Sequence, residues 1–364
     1  MNRRFLITLV TFVIIAMAAF AAVLLAKGYT FSPQQKRLVG TGIISITSTP
    51  DAASVFLDGH LTTATNANIS SLPPKEYMVR IVKEGFIPWE RKVEVKEGLV
   101  SDLKVRLFPA IPTIYPLTFT GVLNATLSPD GQKLVYIVPT GKKAGVWVWQ
   151  MSFDQPIAFA RGAEPHQISS SGITDYSKAI LRFSPDSKQV LASKGANNYL
   201  LETSQLNTEP KDITPLLSST LKGWDDDQKS ADAARILNIK DLEIRKIASE
   251  SAELKWSPDE TKFLFASELV DQKFKVYDVE EKVEYQIPEA KAHFWLPDSR
   301  HIVLVEESNI SVVDFDGTNK AVVYAGKFEP TQVFTWPDSS RLALVTSFPT
   351  PTASEPNLYG INLK

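Results

Sequence analysis

A short motif that returns five times constrains this chain more than any other feature. A large apolar residue is followed by Ser-Pro-Asp-Gly or a close variant. The copies are Leu127-Ser128-Pro129-Asp130-Gly131, Phe183-Ser184-Pro185-Asp186-Ser187, Trp256-Ser257-Pro258-Asp259-Glu260, Trp295-Leu296-Pro297-Asp298-Ser299 and Trp336-Pro337-Asp338-Ser339. Two residues before the large position stand Ala125, Leu181, Leu254, His293 and Phe334. After the motif come apolar runs beginning at Leu134, Val190, Phe263, Ile302 and Leu342. Pro presets the first turn position, and the Ser hydroxyl and Asp carboxylate can cap nearby amides, so each copy reads as a reversal between two strands. Thus Ser128, Pro129, Asp130, Gly131, Ser184, Pro185, Asp186, Ser257, Pro258, Asp259, Pro297, Asp298, Pro337 and Asp338 are expected to be structural turn residues.

The strand after each turn is apolar at successive positions, so both its faces must be covered. A ring in which each sheet packs between two neighbours meets that demand. The motif prolines are spaced 56, 73, 39 and 40 residues apart, and the last two intervals match the ~40–45 residues of a four-stranded propeller blade. Outer strands are expected at Val146–Met151 and Ile157–Ala160, Lys273–Asp278 and Val283–Ile287, and Ile310–Phe315 and Lys320–Tyr324. The fifth unit has three strands, and Thr113–Gly121 is placed to supply its fourth and close the ring. The expectation is a mainly β chain with a five-bladed β-propeller over 117–364, six blades being the alternative if Ile168–Ser177 hides degenerate strands. The long interval implies a helical insertion at 216–252. Asp225-Asp226-Asp227 is expected to cap one helix through Ala234 and Leu237, and Asp241 another through Ile244 and Ile247. On these five copies the segment resembles the TolB-type, WD-repeat-like propellers.

Upstream, Phe5 to Ala26 carries no charge, with Arg3 and Arg4 before it and Lys27 after. At ~1.5 Å per residue this stretch, as a helix, would cross a ~30 Å hydrocarbon core. The basic flank places the N-terminus in the cytoplasm and residues 28–364 outside. The expectation is an N-terminal transmembrane helix acting as a signal-anchor (1–27) with the lipid bilayer as partner. A cleaved signal peptide is the competing reading, at Ala16-Met17-Ala18 or Ala19-Phe20-Ala21.

A polar stalk over 28–41 precedes short β-type runs at Ile43–Thr47, Ser54–Leu57, Tyr77–Val82, Glu90–Val95 and Leu103–Leu107. Turn signals separate them at Asp58-Gly59, Pro73-Pro74-Lys75, Glu84-Gly85 and Glu97-Gly98. Residues 42–108 are expected to form a compact β-sandwich, joined to the propeller by a Pro-rich linker over 109–116. The motifs Ser48-Thr49-Pro50-Asp51-Ala52-Ala53, Val55-Phe56-Leu57-Asp58-Gly59, Leu72-Pro73-Pro74-Lys75-Glu76-Tyr77 and Lys83-Glu84-Gly85-Phe86 stand in the order of the PEGA domain family, which this segment resembles. Asp51 and Ala52 replace the family's Glu and Gly. The resemblance implies an extracytoplasmic module without catalytic residues. Phe56, Tyr77, Phe86 and Trp89 are expected in its core, since so small a domain needs large apolar side chains.

The chain has no cysteine and four histidines, which excludes thiolate nucleophiles, Cys-ligated zinc and iron–sulfur clusters. Formal net charge is −2, with no long basic run, against a nucleic-acid coat. His293 and His301 fall at template positions of a blade, His60 follows a hairpin, and His166 is expected in a loop. Asp314-Phe315-Asp316-Gly317-Thr318-Asn319 resembles a Ca²⁺ loop but lacks its ligand order, and reads as a turn. No catalytic, cofactor or metal residue is assigned, and no cofactor is expected. Two function classes follow. One is a membrane-anchored extracytoplasmic binding or scaffold protein of the cell envelope whose propeller engages a protein or glycan. The alternative is a glycan lyase or hydrolase with carboxylates converging in the propeller channel.

Overall fold

The computed structural model describes residues 3–26, 29–32, 37–151, 164–251, 253–266, 273–348 and 355–364. The chain divides into two compact units, residues 1–110 with Lys364 and residues 111–363.

The first unit opens with helix α1 (Arg3–Ala26), whose described side chains, those of residues 7–23, are exposed and apolar apart from Thr8 and Thr11. Among the described residues no helix is long and apolar enough to cross a membrane. Where a stalk was expected, Tyr29–Ser32 and Arg37–Gly40 pair as an antiparallel hairpin. Two sheets follow. Gly42–Thr49 sits between Ala67–Leu72, antiparallel, and Val100–Arg106, parallel. The other sheet runs His60–Ala64, Ser54–Leu57, Glu76–Val82, Trp89–Glu94. The strand at His60–Ala64 is polar and largely exposed, and that at Ala67–Leu72 is short and Ser/Asn-rich, with Ile69 and Leu72 packed on the core, so neither gives a strong strand signal in the sequence. Both sheets share one core that includes Ile44, Ile46, Val55, Val79, Ile81 and Val105. Tyr77 and Trp89 are buried in it and Phe86 packs on it, while Phe56 is half-buried and outside it. Ala52 adopts φ +53°, a left-handed conformation costly for a residue with a Cβ and the place where the PEGA pattern carries Gly.

Among its described residues the second unit holds five four-stranded antiparallel sheets, here blades 1 to 5. Blade 1 comprises Leu123–Leu127, Lys133–Val138, Gly145–Gln150 and His166–Ser170. Blade 2 comprises Ile180–Phe183, Gln189–Lys194, Asn197–Glu202 and Lys211–Asp212. Blade 3 comprises Glu253–Trp256, Lys262–Ala266, Phe274–Asp278 and Val283–Gln286. Blade 4 comprises Ala292–Trp295, His301–Val305, Asn309–Asp314 and Ala321–Ala325. Blade 5 takes Val333–Thr335, Arg341–Thr346 and Asn357–Asn362 from the end of the second unit and Ile114–Pro116 from the start of that unit, with Ile114 opposite Ile361. Strand 114–116 therefore belongs to the ring rather than to a linker.

Two further expectations need correction. The outer strand of blade 1 is His166–Ser170, so His166 opens a strand, and Ile168 belongs to blade 1 rather than to a sixth blade. The run Ile157–Ala160, expected there, lies outside the described residues. Pro165 and a bulge between Val146 and Trp147 mask the strand's pattern.

The twofold-apolar strands do cover both faces. In blade 1, Val135 and Ile137 pack with Leu181, Phe183 and Val190 of blade 2. Leu134, Tyr136 and Val138 turn the other way, toward Phe334, Ala343 and Val345 of blade 5. In blade 3, Leu264 and Ala266 meet Trp295, Ile302 and Leu304 of blade 4. The opposite face, Phe263 and Phe265, packs instead on Ile239, Ile244 and Ala248 of the insertion.

That insertion comprises a 3₁₀ turn (Thr214–Leu216), helix α2 (Leu217–Asn238) and helix α3 (Leu242–Glu250). Asp241 caps α3, its carboxylate accepting from the amides of Glu243 and Ile244. Asp225–Asp227 lie in the middle of α2, not at its start: the helix begins eight residues earlier, without a side-chain cap.

Candidate functional site

The five motif copies build one rim. In each, the motif Asp accepts from the amide two residues on: Gln132, Lys188, Thr261, Arg300 and Ser340. Where Ser is present it completes the reversal. Ser128, Ser184 and Ser257 donate to Asp130, Asp186 and Asp259, and each hydroxyl accepts from the amide of Lys133, Gln189 or Lys262. The Ser184 hydroxyl, helped by the Lys188 amide, holds the Asp186 carboxyl below its usual range.

The residue closing each motif has positive φ in all five copies: Gly131 +67°, Ser187 +60°, Glu260 +59°, Ser299 +59° and Ser339 +56°. Four of the five carry a Cβ in a conformation that glycine tolerates best. At Ser187 and Ser299 the side chain links neighbouring turns. Ser187 Oγ of blade 2 accepts from the Asp130 amide of blade 1 at 3.2 Å, and Ser299 Oγ of blade 4 accepts from the Asp259 amide of blade 3 at 3.0 Å. These serines clasp neighbouring turns. Blade 3 has Glu260 at this place, and its carboxylate takes Arg235 Nε of α2 at 2.8 Å.

The turns of blades 1, 3, 4 and 5 border a cavity of about 620 Å³. Its walls include Gln132, Lys255, Trp256, Trp295 and Thr335, and α2 contributes Gln228, Asp232 and Arg235. These three lie at i, i+4 and i+7, on one helical face. The innermost strands carry the linkage around the axis: Asn124 donates to Ala179 O and Thr126 to Leu181 O. Likewise Lys255 donates to His293 O and Trp295 Nε1 to Lys255 O. Charged groups on the wall are committed to partners. Arg235 bridges Asp232 and Glu260, Lys255 pairs with Glu253 at 2.7 Å, and Asp130 is held inside its own turn. A second cavity, of about 750 Å³, lies among other loops of blades 4, 5 and 1 and includes Glu307, Lys327, Phe328 and Gln332.

The histidines divide sharply. His293 is buried, and burial, with Lys255 nearby, pushes its pKa down against the hydrogen bond to Pro288 O. His301 is buried eight residues later. Burial alone would lower its pKa, but Asp298 at 2.8 Å and Asp314 at 3.3 Å outweigh that and raise it to about 9. The position is the first residue of the second strand, opposite the last residue of the third. Lys133 and Gln150, Gln189 and Glu202, Lys262 and Asp278, and Arg341 and Asn362 fill the same pair elsewhere. His301 thus belongs to a polar belt repeated in every blade. His166 Nε2 lies 3.0 Å from Thr203 O, and His60 starts an exposed strand.

The Asp314–Asn319 segment closes on itself: Gly317 N donates to Asp314 O, and Thr318 N and Oγ1 to Asp316 Oδ1. Among the described residues no group of three or more His, Asp or Glu gathers in a metal-holding arrangement. What sequence reasoning missed is the face of α2. The helix is polar nearly all round, so no apolar stripe marks which side meets the ring.

Comparison with known proteins places the two units differently. Residues 41–110 match the PEGA domain family. No curated protein matches the chain. Among solved structures, TolB from Acinetobacter baumannii is similar at 14% identity and a TM-score of 0.26, over 80% of this chain and 60% of that one. The Cps50 (Swd1) β-propeller domain of Myceliophteria thermophila is similar at 10% identity and a TM-score of 0.21, over 68% of this chain and 73% of that one. The chain therefore spans about 60% of the length of the TolB it matches.

Proposed function

We propose that this chain is a non-enzymatic binding or scaffold protein of the cell envelope, tethered by α1, with residues 28–364 outside and the rim cavity engaging a partner protein. The observation that carries the binding reading is the cavity of about 620 Å³ lined by turns of four blades together with α2. Its wall is mainly polar, with Gln132, Gln228 and Thr335 beside Trp256 and Trp295, a lining suited to hydrogen-bonding a polar protein surface. Its charged groups are spent on ion pairs and turn hydrogen bonds, so they are poorly placed to serve as a free acid–base pair. Support for the tether comes from the sequence alone: Phe5–Ala26 carries no charge and stands between Arg3-Arg4 and Lys27. Support for an envelope address comes from the PEGA match.

The test is capture from envelope extracts on immobilised residues 28–364, in the parent form and with Gln132→Arg and Gln228→Arg together. A protein retained by the parent and lost by the variant is the expected result. Retention of the same proteins by both forms would remove the cavity from the account. Protease treatment of intact cells tests the topology separately, and protection of residues 28–364 would overturn it.

A further inference from the structure

Helix α2 is held to the ring by other means than the blades hold one another. None of its side chains is buried, and its half-buried positions (217, 220, 221, 224, 232, 235 and 236) fall along one face. Its ends are fixed by what flanks it: Ile213, buried beside blade 2, and Ile239, in the core formed with Phe263 and Phe265. Its last turn adds Ile236, half-buried against that same core; over the rest of its length it is fastened through charge. Asp225 Oδ1 takes Arg182 Nη2 of blade 2 at 2.7 Å, and the same guanidinium lies 5.8 Å from the Trp224 ring. At the other end Arg235 takes Glu260 of blade 3. Both pairs are about half exposed, hence weak and screened by salt.

The helix is also poorly made for standing alone. It starts without a side-chain cap, carries Gly223 in its interior, and follows that with Asp225-Asp226-Asp227. Gly and Asp are weak helix formers. A Cβ at Gly223 would meet nothing within 4 Å, so packing does not require glycine there. At the rim, Glu260 stands where Ser187 and Ser299 clasp adjacent turns, and it reaches to α2 instead.

We propose that α2 is a releasable strap: it closes the side of the rim cavity next to blades 2 and 3, and it lifts or unwinds between Ile213 and Ile239 while the blades and α3 stay folded. Release of the two ion pairs opens the cavity wall formed by Gln228, Asp232 and Arg235. The inference rests on the binding reading only for what an open cavity would admit, because the movement itself is measurable without a partner.

Hydrogen exchange on the full chain tests the movement. Residues 217–238 should exchange at least tenfold faster than residues 242–250 and 262–266. Raising NaCl from ~0.1 M to ~1 M, or combining Arg182→Ala with Glu260→Gln, should speed residues 217–238 several-fold and leave the other two segments unchanged. Because the chain lacks cysteine, Lys255→Cys gives one labelling site on the cavity wall, and its maleimide labelling should accelerate in parallel. Exchange of α2 in step with residues 262–266, or rates indifferent to salt and to both substitutions, would overturn the strap. Faster exchange with unchanged labelling of Lys255→Cys would overturn its closing of the cavity. Failure of Gln132→Arg with Gln228→Arg to lose a partner would strike the binding reading and leave the exchange result standing.

Discussion

Between blades 1 and 2, sheet packs directly on sheet: Val135, Ile137 and Val146 interdigitate with Leu181, Phe183 and Val190, and Ser187 clasps the Asp130 turn. On the side of blade 3 away from blade 4 the same need, covering an apolar face, is met by other material. Phe263 and Phe265 are covered by Ile244 and Ala248 of α3, and the clasp gives way to an ion pair with α2. One junction repeats the blade template. The other places an insertion there, which divides into a helix with side chains fully buried in the core, α3, and a helix, α2, that touches it only through half-buried Ile236. A repeat can therefore tolerate a long interruption if the interruption brings its own apolar face to the sheet it separates.

The strongest way to break this comparison is to empty the helix-backed junction. Phe263→Ala removes a fully buried ring that touches Trp256, Phe265 and Tyr277. It should cost about 3–5 kcal/mol, comparable to a truncation in a sheet–sheet core, with loss of α3 helicity in the same transition. Thermal unfolding followed at far-ultraviolet wavelengths reads both. A loss under about 1 kcal/mol would mean that α3 only leans on blade 3, and the two junctions would no longer be equivalent.

Next in size is the pH response of blade 4. His301 has its folded pKa raised from 6.5 to about 9 by Asp298 and Asp314. A group raised in the folded state contributes stability fully below its unfolded pKa, and that contribution fades as pH climbs through the folded value. The expected loss is ~3 kcal/mol between about pH 6.5 and 9.5, seen as a falling denaturation midpoint. His301→Gln, whose amide does not titrate, should flatten the profile in that window. A profile equally steep in the variant would assign the effect to other groups.

A smaller effect separates the clasped rim from the unclasped one. Ser187→Ala keeps the strained φ of +60° and removes only the acceptor of the Asp130 amide. It should cost about 1–2 kcal/mol through that unsatisfied donor. Ser299→Ala should behave alike at blades 3 and 4. Equal stability of parent and both variants, measured by denaturant titration, would reduce the clasps to incidental contacts.

The blades were legible because their signals are redundant. Each turn joins Pro, Asp and an adjoining apolar run, so degenerate copies such as Trp295-Leu296-Pro297-Asp298-Ser299 still align with the others. Closure through Ile114–Pro116 was legible from the missing fourth strand of the last unit. Strands with few apolar residues were not, as at His60–Ala64, which is largely exposed, and at His166–Ser170, where Ile168 is the one apolar residue and is buried. Asp225–Asp227 misled because acidic residues favour helix starts, yet here Asp225 serves Arg182 from mid-helix. Nothing in the sequence places Arg235 beside Glu260, twenty-five positions on, and the cavity wall shared by α2 emerges only from the folded arrangement.

The smallest change sharpens the contrast between α2 and α3. Gly223→Ala adds a methyl group into open space in the middle of α2. Since Ala exceeds Gly by roughly 0.8–1 kcal/mol in a helix interior, the substitution should slow hydrogen exchange in residues 217–238 by up to about fivefold. Exchange in residues 242–250 should not change, because α3 is governed by its packing on Phe263 and Phe265. Global stability should barely move, since a strap that opens before the blades unfold does not report on the main transition. A full ~1 kcal/mol rise in global stability would show the opposite: that α2 unfolds only with the ring, and that the two helices form one structural element.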